Sequence, residues 1–339
     1  MPSNPDRFPR SRRTAAAHRA VQIVFLLGML WVGLRFALYA AWVMGLSQDF
    51  VARPPAVEGF LPISALLALK RLLLTGAWDA VHPAGLTILL CALTSALLLR
   101  KGFCGYVCPV GTVSFWLFQL GRRWGVTLSP PRRLSVALAI PKYLLLAFFL
   151  RLVLPGGMGL AQIDEFLCSP YNMVADTKML LFFAPPSSTV AVVLGLLVLA
   201  GVFLPSFWCR FLCPYGALLG LLSWMSPVAV RRNTATCTSC RACSRACPQG
   251  IAVDRMTHVV SPECNGCQEC VGACPRTDCL AMSVGAGGRR LPWWFSGAGV
   301  AAMFIGAWIL AAITGHWVSD IPPEMARMLH RGIEHLSHY

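Results

Sequence analysis

Charge is scarce in this chain. Asp, Glu, Lys and Arg make up 13% of its 339 residues, against 56% hydrophobic residues, and the mean hydropathy is +0.62. So little charge cannot keep that apolar surface in water. This excludes the two ordinary soluble domains that the length would allow and places most of the chain in lipid. Acidic side chains are the scarcest, 14 against 29 Lys and Arg, for a formal net charge of +15. On a lipid-embedded chain that excess fits loops held at an anionic inner leaflet. Nucleic-acid binding is the weaker reading, because the Arg residues flank apolar spans. Val21–Leu46 is too long for a signal peptide and carries no clear A-x-A site, so it reads as a first spanning helix.

Cysteine, by contrast, is abundant, with 15 residues, and its spacing is informative. Cys237, Cys240, Cys243 and Cys247 form one run and Cys264, Cys267, Cys270 and Cys274 a second. Each reads C-x2-C-x2-C-x3-C-P, the bacterial ferredoxin pattern for a [4Fe–4S] cluster, in which the last cysteine of each run ligates the other cluster. The spacing therefore predicts two [4Fe–4S] clusters, one on Cys237, Cys240, Cys243 and Cys274, the other on Cys264, Cys267, Cys270 and Cys247. A zinc ribbon would show paired C-x2-C units rather than four-cysteine runs ending in proline. Pro248 and Pro275 turn the backbone after each last ligand. Cluster chemistry needs reduced thiolates and so a cytoplasm-facing site.

Five apolar stretches approach the roughly 20 residues that a bilayer needs: Val21–Leu46, Pro83–Leu99, Ala139–Leu154, Thr189–Leu204 and Trp293–Thr314. With the N-terminus inside, twenty Lys and Arg fall in inner segments and six in outer ones, which predicts an N-in, C-out topology in a bacterial inner membrane with the ferredoxin stretch inside. An internal repeat is also visible. Phe103-Cys104-Gly-Tyr-Val-Cys108-Pro109-Val-Gly111 matches Trp208-Cys209-Arg-Phe-Leu-Cys213-Pro214-Tyr-Gly216, and Glu58-Gly-Phe60-Leu61 echoes Asp164-Glu165-Phe166-Leu167. Two parallel copies imply a pseudo-twofold axis along the membrane normal. The expected fold is an α-helical integral membrane protein of about five transmembrane helices, a pseudo-twofold repeat of helix pairs with an inserted small α+β two-cluster ferredoxin-like domain. Its parts are a disordered basic N-terminus (1–19), a first membrane repeat (20–121), a second (122–228), the ferredoxin domain (229–285), and a fifth helix with an outer tail (286–339).

If the axis holds, Cys104, Cys108, Cys209 and Cys213 converge on one point, since a spacing of four puts two thiols on one face of a helical turn. Such a four-thiolate site could hold a third cluster, a metal or a redox-active dithiol. Cys91 reads as a small core residue, Cys168 as unpaired, and Cys279 as a spare thiol. The outer loops carry Arg53, Glu58, His82, Asp164, Glu165 and Asp176. Quinol oxidation needs a proton acceptor beside an apolar slot at the membrane edge, and His82, Asp164 and Glu165 are the candidates, against a plainer role as hydrated interfacial side chains. His330, His335 and His338 lie in a terminal segment that reads as a surface amphipathic helix.

Taken together, Arg53-Pro-Pro-x-Val-Glu-x-Phe-Leu-Pro-Ile-Ser64, His82-Pro83, both C-x3-C-P motifs, Ser169-Pro-Tyr-Asn172 and the ferredoxin runs resemble the NapH/NosR/CcoG-type membrane polyferredoxins, the YccM-like members in particular. The likeness covers about residues 20 to 285. It implies membrane electron transfer between a quinone pool or redox partner protein and cytoplasm-facing clusters, with a quinol dehydrogenase component as one form of that activity. The chain differs from NosR types, which carry a long N-terminal flavin-bearing domain, and from CcoG types, which carry a β-sandwich after the last helix. A copper reductase or assembly factor for a respiratory enzyme, and a redox sensor, are the alternatives.

Overall fold

The structure, a computed structural model, describes residues 7–285 and 288–333. Helices dominate. In chain order they are α1 Arg7–Val43, α2 Pro62–Thr75, α3 Pro83–Leu99, α4 Pro109–Trp124, α5 Arg132–Val153, α6 Leu160–Leu167, α7 Pro170–Met173, α8 Ala175–Phe183, α9 Ser188–Phe203, α10 Pro214–Leu222, α11 Ala242–Ala246, α12 Glu269–Gly272, α13 Phe295–Ile313 and α14 Pro323–Arg331. Three segments, Arg13–Val43, Arg133–Val153 and Phe295–Ile313, are long and apolar enough to cross a membrane, and α3 and α9 are shorter apolar helices. Large apolar side chains line their outer surfaces, among them Leu27, Trp31, Leu196, Leu310 and Ile313. Patches of that extent call for lipid or a partner rather than water.

The local sequence explains several boundaries. Proline opens α2, α4 and α10 at the first helical turn, where its missing N–H costs nothing. α2 and α4 stop at Gly76 and Gly125, both left-handed, as glycine commonly does one residue past a helix end.

The chain packs as two units. The first comprises Met1–Leu27, Ala92–Leu146 and Gly195–Met303; the second comprises Gly28–Cys91, Ala147–Leu194 and Phe304–Tyr339. Each is assembled from three segments that lie far apart in the chain. A long helix supplies different neighbours at its two ends. The first unit holds an antiparallel sheet in the order β2-β1-β3-β4, formed by β1 Val228–Arg232, β2 His258–Val259, β3 Leu280–Val284 and β4 Arg289–Arg290. Val228, Val230, Val259, Leu280 and Met282 pack against Cys243, Cys247, Cys264 and Cys270, so the sheet is the floor on which the cysteine loops rest. Arg100, fully buried, joins the end of α3 to this sheet by donating to the carbonyls of Ser223 at 2.7 Å and Val259 at 2.6 Å.

The second unit is helical. Leu67, Ala68, Leu86, Ile163 and Leu167 form one apolar cluster. Phe36, Tyr39, Trp42, Val57 and Ala326 form another.

The N-terminal expectation needs correction. α1 begins at Arg7, inside the stretch read as disordered. Thr14, His18 and Gln22 are buried, and the last two bond the carbonyl of Gly105 at 3.0 Å, so this polar face packs on protein. His335 and His338 lie outside the described residues.

Candidate functional site

The two ferredoxin runs form two adjacent pairs of loops with matching backbone. Ser239 and Arg241 in the first and Gly266 and Gln268 in the second occupy the same positions and all have positive φ, 54°, 58°, 68° and 60°. Alternating left-handed residues turn successive N–H groups inward, a concavity that suits anionic centres such as thiolate clusters. Three of these four residues are not glycine, so the turn is held against its own steric preference.

The loops bring the cysteines together across the runs. Cys237, Cys240, Cys243 and Cys274 line one small cavity of about 20 Å³, joined by Arg232, Asp254 and Cys279. Cys247, Cys264, Cys267 and Cys270 line another of about 20 Å³ with Gln249 and Asn265. In each case the fourth thiol comes from the other run. Cys279, read as a spare thiol, stands at the edge of the first cavity, its Sγ 3.5 Å from the carbonyl of Asn233. All fifteen cysteines are free thiols. The first cavity is the more exposed, and backbone N–H donors hold Cys237 and Cys240 below the usual thiol range, with Ser239 N–H and then Arg232 acting on the former, Ala242 N–H and then Thr238 on the latter. In the second cavity burial pushes Cys247 up to about 11 and holds Cys267 and Cys270 well above the usual thiol range.

A third cavity joins the two C-x3-C-P motifs. Its volume is about 90 Å³, and Cys104, Cys108, Cys209 and Cys213 all line it, with Lys101 and Gln249. Each motif is a five-residue π turn, Phe103–Val107 and Trp208–Leu212, rather than a standard α turn. Cys108 and Cys213 then sit at the N-cap of α4 and α10. Gly216 donates its N–H to Cys213 Sγ at 3.3 Å. The glycine two residues after the proline of the first motif is a packing requirement: a Cβ on Gly111 would run into the carbonyl oxygen of Cys104, whereas one on Gly216 would sit tightly, 3.2 Å from the Cys209 carbonyl oxygen. Burial raises Cys108 to about 11 and Cys209 to about 12; as thiolates they need a cationic partner. Among the described residues no group of His, Cys, Asp or Glu side chains is gathered closely around one ion.

Two features of this region escaped sequence reasoning. Lys101 and Lys142 are buried at 2% and 0% exposure and share the carboxylate of Glu263, at 3.1 and 2.5 Å. Burial works against the Glu263 carboxylate, but the two ammonium groups outweigh it and hold its pKa below the usual range. Glu263 precedes Cys264, and Lys101 donates its backbone N–H to the Cys264 carbonyl at 3.4 Å, so this ion cluster stands between the four-thiol cavity and the second ferredoxin cavity. His18 is the other feature, reaching Glu269 at 3.0 Å and Gly105 at 3.0 Å. The only signal for either was charge inside an otherwise apolar chain.

In the second unit, the three candidate proton acceptors part company. Asp164 is half-exposed and paired with Arg71 at 2.6 Å, and Glu165 is exposed. His82 is buried at 1% exposure. Its Nε2 faces the Asn172 carbonyl at 2.8 Å, and its Nδ1 faces Arg53 at 3.2 Å. Arg53 also bonds Glu58 and Asp176, each at 2.7 Å. The Ser169-Pro-Tyr-Asn172 motif has a local cause: Ser169 caps α7 by accepting the N–H of Asn172, and that turn presents the Asn172 carbonyl to His82.

Apolar helices carrying loops with eight cysteines in ferredoxin spacing define an iron–sulfur protein of the membrane. Comparison with known proteins agrees. A family profile described as a 4Fe-4S binding domain matches residues 81–127 and again 187–233, and one described as a 4Fe-4S dicluster domain matches 229–275. YccM of Escherichia coli (strain K12), whose name assigns it to electron transport, is 36% identical over 325 residues, 94% of this chain and 90% of that protein. The methylamine utilization ferredoxin-type protein MauN of Methylorubrum extorquens is 30% identical over 218 residues, 61% of this chain and 65% of that one. The regulatory protein NosR of Pseudomonas aeruginosa is 26% identical over 241 residues, 66% of this chain but 32% of NosR. No solved structure matches. The chain belongs to the NapH/NosR/CcoG-type membrane polyferredoxin family, and iron–sulfur electron transfer is its activity at that level of description.

Proposed function

We propose that the protein passes electrons between a quinone pool, or a redox partner protein, and [4Fe–4S] clusters held on the cytoplasmic side of a bacterial inner membrane. In this reading Cys237, Cys240, Cys243 and Cys274 hold one cluster and Cys264, Cys267, Cys270 and Cys247 the second. Cys104, Cys108, Cys209 and Cys213 hold a third redox centre. Five helices span the membrane, N-terminus inside and C-terminus outside, in two parallel repeats. Bound clusters supply one-electron chemistry, and the chain supplies burial, charge and N–H donors that set their potentials.

The observation that carries the reading is the grouping of the thiols. Three separate cavities are each lined by cysteines from two sequence motifs. Lys101 and Gln249 border the third, and Gln249 also borders the second, which supports electron exchange between those two sites.

Iron and acid-labile sulfide per purified chain, together with EPR of anaerobic membranes titrated with quinol, test the proposal. Two clusters give about eight iron atoms per chain and three about twelve. Zinc in place of iron overturns the cluster reading. Clusters that dithionite reduces but quinol does not overturn the quinone reading, and turnover with Cu(II) alone favours a metal reductase. A Cys104→Ser, Cys209→Ser variant with unchanged iron and activity removes the third centre.

A further inference from the structure

The first unit has a further cavity, of about 930 Å³, far roomier than the three lined by cysteine. Helices α1, α4, α11 and α12 all contribute to its wall. Arg19 comes from α1, and Trp116, Arg122 and Arg123 come from α4. From α11 and α12 come Ala246 and Gly272, with Ala273 just beyond; these are small residues that leave the space open. Ala246 precedes Cys247 and Ala273 precedes Cys274, so the cavity borders the fourth ligand of each proposed cluster.

The wall is cationic. Arg19, Arg122 and Arg123 are exposed, and none of them enters an ion pair among the described residues. Arg122 donates to Gln119 Oε1 at 3.2 Å, which occupies one of its five N–H donors. The acidic side chain in the wall, Glu269, is 11% exposed and faces His18 at 3.0 Å. Exposed arginines are ordinarily satisfied by water; what sets these apart is the surface beside them. Val113, Trp116, Leu120 and Arg123 follow one another at spacings of three and four and so share one face of α4. Val113 and Trp116 are 44% and 40% exposed. An apolar face that ends in arginine matches an amphiphile with an anionic head. The depth agrees. Ala15 and Arg19, both lining the cavity, stand in the first two turns of the Arg13–Val43 span, the end at which such a helix meets headgroups and where Trp is enriched. In the topology proposed above, that end faces the inner leaflet, where anionic lipids gather.

We propose that this cavity binds the headgroup of an anionic phospholipid, its phosphate paired with Arg19, Arg122 and Arg123 and an acyl chain laid along Val113, Trp116 and Leu120. Basic pockets between membrane helices on the cytoplasmic side take such lipids, and guanidinium groups pair well with phosphate. A neutral quinone would use the apolar face but leave three arginines without a counter-ion. A soluble phosphate would use the arginines but leave the apolar face bare. An anionic lipid satisfies both. The bound lipid also covers Ala246, Gly272 and Ala273 and so keeps water from the loops that carry Cys247 and Cys274. The site does not depend on whether the electrons come from a quinone.

Native mass spectrometry of the purified full chain tests this, with dioleoylphosphatidylglycerol and dioleoylphosphatidylcholine as probes. The two share their tails and differ in headgroup charge. Wild type is expected to retain phosphatidylglycerol at least about tenfold more tightly than phosphatidylcholine. Arg122→Gln combined with Arg123→Gln should weaken phosphatidylglycerol binding about thirtyfold, with iron content at the wild-type level. Arg255→Gln combined with Arg289→Gln removes two exposed arginines elsewhere and should leave the binding unchanged. Equal retention of the two lipids by wild type overturns the proposal, and that comparison holds even where the double variant misfolds. Undiminished phosphatidylglycerol binding by the folded Arg122, Arg123 variant overturns it as well, as does an equal loss in the Arg255, Arg289 control. Displacement of the lipid by millimolar inorganic phosphate would mark a free-anion site and overturn the lipid assignment.

Discussion

The two ferredoxin cavities share ligand spacing, left-handed turns and size, yet their surroundings differ. Around the first, Cys237 and Cys240 lie toward solvent, with N–H donors and Arg232 drawn to their sulfurs. Around the second, all four cysteines are buried, and the charged side chains that act on them are Glu269, on Cys267, and Arg210, on Cys247. Hydrogen bonds, solvent and positive charge favour the more negative, reduced form of a cluster, and burial disfavours it. If each cavity holds a cluster as proposed, equal cysteine sets should give unequal potentials, with the exposed centre the more easily reduced.

The comparison can be broken most forcefully at the ligands. Cys270→Ser should cost one cluster, about four iron atoms per chain, and unfold the surrounding core because Cys270 packs against the sheet. Cys240→Ser should lose iron from the first centre alone. Iron content with limited proteolysis separates the two, and equal damage would show that exposure does not distinguish the sites. Next is Glu263→Gln, which leaves Lys101 and Lys142 buried without a counter-ion. A loss of about 3–5 kcal/mol is expected, read as a fall in thermal midpoint and eased by adding Lys142→Met. A smaller effect is expected from Arg232→Ala. Removing that donor should lower the potential of the first centre and leave the second in place, each tenfold change in its reduced-to-oxidised ratio corresponding to about 59 mV. An EPR potential titration resolves both.

The smallest effect lies in the second unit. Burial holds His330 below its usual range, opposed by the Ala326 carbonyl and Asp176. A depressed histidine contributes stability that is complete above the unfolded value of about 6.5 and lost as pH falls through the folded value. Thermal midpoints measured from pH 8 to 5 should therefore drop on acidification, and less so in His330→Gln.

How far the sequence alone could reach depended on the range of each interaction. Apolar runs placed α3, α9 and α13 to within a few residues, and the cysteine spacing identified the loops, because both signals are local. The fourth thiol of each cavity was accessible through the ferredoxin rule. What the sequence could not supply was partnership across the chain. Arg53 meets Asp176 over 123 positions and Lys142 meets Glu263 over 121, and no periodicity records such pairs. The cavity beside α4 was missed for a different reason: α1, α4, α11 and α12 all contribute to its wall, so it exists only once they are packed. A stricter suspicion of each acidic residue in so lean a set of 14 would have flagged Glu58 and Glu263, since ionisable groups in membrane chains are costly and tend to be functional.

Arg100 has a consequence for biogenesis. The ribosome delivers it long before Ser223 and Val259, whose carbonyls its guanidinium will occupy. Until then it must stay at the lipid boundary, among headgroups and water. The strand edge that carries Val259 finds its donor only when the end of α3 is already in place. The contact thus ties the sheet to the end of α3, so the sheet reaches its full set of hydrogen bonds only with that helix end in place. A fragment cut out at residues 229–285 would lack that arginine and leave the Val259 carbonyl without this donor.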